Sequence, residues 1–93
     1  MRITGIDHLV LTVRDIPTTV HFYETVLNMR SERFGTNRIA LNFGGQKINL
    51  HQLHQEFEPK AEHATPGSAD LCLITDTPLA WAIEQVKKQG VEI

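Results

Sequence analysis

The chain is short of the features that mark several functional classes. It has a single cysteine, Cys72, which excludes an internal disulfide and fits a reducing, cytoplasmic setting. No apolar run approaches the roughly 18 residues of a spanning helix, and no charged-then-apolar leader opens the chain, so membrane insertion and export are not expected. Neither sign of charge dominates: nine Lys and Arg against eleven Asp and Glu leave a net charge of -2. That balance leaves no electrostatic footprint for nucleic acid or an anionic membrane as the main partner. At 93 residues and 41% apolar, the composition is that of one globular domain. A domain of this size buries only about 60 to 65% of its surface, so its core is marginal and a homodimer is expected.

What is present is a series of short apolar segments separated by turn signals. Residues 3–13 are rich in Ile, Leu, Val and Thr and read as a strand buried on both faces. Asp15 is a good N-cap and Pro17 suits a first helical turn. Val20, Tyr23, Val26 and Leu27 follow at helical spacing, predicting an amphipathic helix over 16–27 that Asn28 ends in the left-handed conformation. Three strands are predicted at 30–34, 38–43 and 46–52, with "FGGQ" as a hairpin turn. "LHQEFEPKAEHATPGS", residues 53–68, is polar, contains two prolines and reads as a linker. A second apolar strand is predicted at 69–75, followed by a helix with Thr77 as cap, Pro78 at its first position and Gly90 as its stop.

The two halves repeat one another. "HLVLTVRDIP" from His8 and "DLCLITDTPL" from Asp70 stand in register, with Leu9 and Leu11 matching Leu71 and Leu73. The caps Asp15 and Thr77 coincide at the same offset, as do the stops Asn28 and Gly90. Two strand-helix units of common design account for this.

Strand parity then sorts the polar residues. Leu9, Leu11 and Val13 share one face of the first strand and suit the backing for a helix, which puts His8, Val10 and Thr12 on the other. On the 46–52 strand, Ile48 and Leu50 take the helix side, leaving Lys47, Asn49 and His51 opposite. Asp70 and Cys72 fall on that same side in the second half. If the strands belong to one curled sheet, His8, His51 and Asp70 converge, and imidazoles with a carboxylate suit Zn, Ni, Mn, Fe or Co. Val10, Thr12, Asn49 and Cys72 would line the same cavity, although Cys72, flanked by Leu71 and Leu73, also reads as a small core residue without a neighbour to lower its pKa. His54 and His63 fall in the polar linker, and His21 sits on a helix without a partner.

"GIDHLVLTVRDIPTTVHFYETVLNMR" resembles the opening strand and helix of the vicinal oxygen chelate superfamily, which includes glyoxalase I, bleomycin and fosfomycin resistance proteins and extradiol dioxygenases. "FGGQKINLHQ" and "EFEPKAEHATPGSADLCLIT" are similar to small glyoxalase-domain proteins of the lactoylglutathione lyase-like type. The resemblance implies an α+β fold of paired β-α-β-β-β modules forming a cup around one divalent metal. The first module would occupy 1–52 and the start of a second 69–93, the second module being incomplete in a C-terminally truncated chain. It maps metal ligands onto His8, His51 and Asp70. The glutamate that the family places on the last strand of the second module, its proton-transfer base, would fall beyond residue 93. Such a cup chelates two adjacent oxygens of a small-molecule substrate. The implied function is a metal-dependent glyoxalase-like lyase or isomerase, or a fragment of one. The alternatives are a non-catalytic binding protein of the bleomycin-resistance sort and a metal-dependent dioxygenase.

Overall fold

The computed structural model describes residues 1–93. In chain order the elements are β1 (His8–Val13), α1 (Ile16–Thr25), β2 (Arg30–Phe34), β3 (Arg38–Phe43), β4 (Gln46–Gln52) and α2 (Leu79–Lys88). The four strands form one mixed sheet in the order β1-β4-β3-β2. β1 runs parallel to β4, and β2, β3 and β4 form an antiparallel meander. The fold is α+β, with a β-α-β-β-β order over the first 52 residues. β2, β3 and β4 have the predicted bounds because turns that need a left-handed residue separate them: Asn37 and Gly35 join β2 to β3, and Gly44 joins β3 to β4.

α1 covers one face of the sheet. Its N-cap is Asp15, whose carboxylate accepts a hydrogen bond from the Thr18 amide at 2.9 Å. Asn28, at φ 56°, turns the chain back into β2. Glu24 pins that return by accepting from the Ser31 amide at 3.1 Å and the Ser31 hydroxyl at 2.8 Å. Beneath the helix, Met29, Leu41, Ile48 and Leu50 form the buried core, with Leu11, Val13, Val20 and Tyr23 packed around it. Leu41 and Ile48 are completely enclosed, and each burial contributes about 1.5 to 3 kcal/mol. The Gln52 side chain locks the corner between β1 and α1: its carbonyl accepts from the Ile16 amide at 3.0 Å and its NH2 donates to the Arg14 carbonyl.

Several expectations are corrected. The first strand begins at His8 rather than at residue 3, because the β1–β4 ladder opens at the His8–Lys47 pair and β4 itself reaches only one residue further, to Gln46; Ile3 and Ile6 are exposed. Nor is β1 buried on both faces, since Val10 stands open on the side away from α1. Residues 69–75 form no strand: a strand exists only through its ladder, and this segment lies beside no other, leaving Leu71, Leu73 and Ile74 exposed. Cys72 is exposed with them, not a core residue. α2 starts at Leu79 with Pro78, not Thr77, as its N-cap and without a side-chain cap bond. The extended ψ of 134° at Pro78 keeps that residue out of the first turn, and Thr77, preceding a proline, is held out of the helical region as well. Gly90, at φ 78°, ends the helix as expected.

Candidate functional site

The sheet face opposite α1 carries the site. The register pairs His8 with Lys47, Val10 with Asn49 and Thr12 with His51 across β1 and β4. Ala40 and Asn42 of β3 lie opposite Asn49 and Lys47, so these even-numbered β3 positions share the face. A cavity of about 270 Å³ opens over it, bordered by His8, Val10, Lys47, Asn49 and His51 from these strands and by Phe34, Arg38 and Phe57.

His8 stands at one end. Its Nδ1 is 2.8 Å from a carboxylate oxygen of Asp7, and 38% of its side chain is exposed. An imidazole held at Nδ1 by a carboxylate presents Nε2 as its free ligand atom, an arrangement common behind metal-bound histidines. The same contact holds the Asp7 carboxyl below its ordinary range, through the hydrogen bond first and then the charge of His8.

His51 stands deeper and is 4% exposed. The Phe57 ring lies over it with centroids 4.3 Å apart, and the Arg38 guanidinium sits 4.9 Å from the centre of the Phe57 ring. Burial pushes the His51 pKa down; Glu56 pulls it up, and Arg38 and Lys60 add to the depression. Its Nδ1 has no hydrogen-bond partner, and neither has the buried Oδ1 of Asn49. Leaving such atoms unpaired costs about 1 to 3 kcal/mol each. In one cavity, the Asn49 oxygen is an acceptor and the His51 nitrogen a donor or an acceptor according to its tautomer, both without a partner.

Strand geometry sets which of these donors can share an ion. With neighbouring parallel strands about 4.8 Å apart and a rise of about 3.3 Å per residue, the register places His8 about 8 Å from Asn49 and about 14 Å from His51 at Cα. The two imidazoles therefore occupy opposite ends of one cavity. Asp70 is exposed, outside the cavity lining, as is Cys72. No group of three His, Cys, Asp or Glu side chains is gathered anywhere in the structure. Of the expected lining residues, Val10 and Asn49 border the cavity, whereas Thr12 borders an adjoining hollow with Tyr23 and His63.

Sequence reasoning missed Phe34, Arg38 and Phe57. Strand parity carried to β2 and β3 would have put Phe34 and Arg38, which are register partners, on the His8 face. Phe57 is the lone aromatic of the polar 53–68 segment, and a lone aromatic in a polar loop was the available signal.

Known proteins share this arrangement of strands. The chain is 57% identical over 93 residues to virulence protein STM3117 of Salmonella typhimurium, covering 100% of this chain and 65% of that protein. It is 44% identical over 93 residues to the glyoxalase domain-containing protein RDO1 of Mycosarcoma maydis, covering 100% of this chain and 52% of that one. It thus spans between about half and two-thirds of the length of these relatives. An integron cassette protein from the mobile metagenome of V. cholerae superposes with a TM-score of 0.96 at 63% identity, over 99% of this chain and 72% of that one. A family model described as Glyoxalase/Bleomycin resistance protein/Dioxygenase superfamily matches residues 5–93, and the chain belongs to that superfamily.

Proposed function

We propose that the protein is a metal-dependent glyoxalase-like lyase or isomerase acting on a small molecule with two adjacent oxygens. The observation that carries this reading is the Asp7–His8 pair at the cavity edge, an imidazole oriented by a carboxylate with its second nitrogen free. The unpartnered Oδ1 of Asn49, two residues from His8 in the register, is the nearest second donor. A hard carbonyl oxygen and a neutral imidazole fit a divalent ion such as Zn, Ni, Mn, Fe or Co. His51 fits as a ligand only where its ring leans along the strand, and its orphaned Nδ1 otherwise suits contact with the substrate. Asp70, outside the cavity, has no part in this reading.

A divalent ion held here supplies Lewis-acid polarisation of the substrate oxygens. The chain's own side chains do the rest. His8 fixes the position of that end of the substrate, Phe34 and Phe57 wall the cavity against water, and the neutral form of His51, favoured by burial, accepts a proton or a hydrogen bond at its unpaired nitrogen.

A second reading has its own observation: the structure gathers no third metal-binding side chain, and two aromatic rings border the cavity. On that reading the cavity sequesters an organic molecule as a bleomycin-resistance protein does. Calorimetric titration of the chelator-treated chain with Zn, Ni, Mn, Fe and Co separates the two, alongside turnover of a hemithioacetal. One ion per cavity, lost in His8→Ala, is expected. Failure of all five ions to bind, or unchanged affinity in His8→Ala, would overturn the metalloenzyme reading in favour of sequestration.

A further inference from the structure

The cavity carries a charge opposite to that of the molecule. The chain has a net charge of -2, yet no carboxylate borders the cavity, while Arg38 and Lys47 both do. Neither cation has an ion-pair partner; the sole salt bridge in the structure joins His8 and Asp7. Of the acids around it, Asp7 is bonded to His8 and Glu56 to the His54 amide at 2.6 Å, and Glu58, which borders the next hollow with Arg38 and Phe57, forms no ion pair with Arg38.

Both cations rest on aromatic rings that border the cavity. Lys47 leaves the sheet beside His8, but its ammonium lies 4.7 Å from the centre of the Phe34 ring on β2. Phe34 is the register partner of Arg38, whose guanidinium rests 4.9 Å from the centre of Phe57. Each cation is thus steadied on an aromatic face rather than by a carboxylate, an arrangement that fixes its position and leaves its N–H donors unspent. Two like charges that border one cavity disfavour one another, and an anion bound between them relieves that repulsion. The buried, unpartnered His51 nitrogen lies in the same cavity, under Phe57.

We propose that the Phe34–Arg38–Phe57 end of the cavity is an oxyanion subsite, in which Lys47 and Arg38 together hold a carboxylate or phosphate group of a small anionic ligand. The proposal takes from the preceding reading only that this cavity is where the ligand binds. The ligand class that follows is a small molecule with its oxyanion at this end and its remaining polar atoms directed along β4 toward Asn49 and His8. Arg38 supplies a planar, two-pronged donor set and Lys47 a point charge. The lock is independent of any metal.

The test is therefore run on the full chain after chelator treatment, so that failure of metal binding leaves it unaffected. Two-dimensional amide NMR follows titration with succinate, with inorganic phosphate and with the uncharged isostere succinamide. The expected result is saturable shifts at Arg38, Lys47 and His51 with succinate or phosphate, weakened by added salt and absent with succinamide. A response to phosphate alone assigns the oxyanion to a phosphate group, and a response to succinate alone assigns it to a carboxylate. Lys47→Met and Arg38→Gln should each weaken binding about ten- to a hundredfold, the loss of one charge-assisted hydrogen bond. Arg33→Gln removes the same charge from an exposed β2 position outside the cavity and should leave affinity unchanged. Equal shifts with succinamide, no saturable response to either anion, or full affinity in both Lys47→Met and Arg38→Gln would overturn the proposal.

Discussion

His51 shows how one side chain can be placed by its chemistry and still be redefined by its neighbours. Parity puts it on the open face of β4, where an imidazole would be wet, but Phe57 folds over it and leaves it 4% exposed. Burial favours the neutral ring, so its folded-state pKa lies below the ordinary 6.5 of the unfolded chain. The folded protein then binds fewer protons than the unfolded one between those two values, and stability rises with pH across that window. The contribution is full above about pH 6.5 and is lost as pH falls through the depressed value. Urea midpoints measured at pH 7.5 and pH 5 should fall more in the native chain than in His51→Asn. An equal fall in both would mean that His51 does not titrate as the burial requires. His8, two strand positions from Asn49 in the register and open at the cavity edge, was legible from sequence because an aliphatic strand rarely spends a position on an imidazole.

Among the elements, the corner between β1 and α1 depends on a residue 36 positions away: the Gln52 side chain closes the Ile16 amide and the Arg14 carbonyl together. Gln52→Ala leaves a helix-start N–H and a strand-end C=O without these partners, and should cost about 1 to 3 kcal/mol. Chemical denaturation would show it, and hydrogen exchange should place the new opening at Ile16; unchanged stability would mean that water substitutes fully for the amide. Local signals gave the bounds of β2, β3 and β4, the Asp15 cap and the Asn28 stop, because each depends on the conformational preferences of a few adjacent residues. The 69–75 segment has comparable local signals and forms no strand. Its apolar alternation states a readiness to pair, and readiness becomes a strand only where another strand lies alongside.

At the scale of the whole molecule, the core is gathered between α1 and the sheet, while α2 has no buried residue. Leu71, Leu73, Ile74, Leu79 and Trp81 remain exposed on the segment from 71 to 81, with Ile74 fully open and Trp81 70% exposed. So much contiguous apolar surface favours association. Trp81 is the only tryptophan, so its emission reports on this surface directly. At low concentration it should emit near the wavelength of water-exposed indole, and it should shift to the blue as concentration rises, in step with an increase in sedimentation coefficient. A blue-shifted emission at all concentrations, or association without any shift, would show that this surface does not mediate association.

The sequence by itself determined the order of elements from β1 to β4, the face on which His8, Asn49 and His51 stand, and the positions where the chain turns. These follow from side-chain alternation, capping and left-handed residues, all of which act within a few residues of one another. Which of those side chains share an end of the cavity was decided only by tertiary structure. The parallel register of β1 on β4 separates His8 from His51 by four strand positions, although both lie on the predicted face. Lys47 leaves the strand beside His8 yet ends over Phe34, and Phe57 reaches from a polar loop to cover His51, because a long side chain and a loop can cross strands that local preferences cannot see.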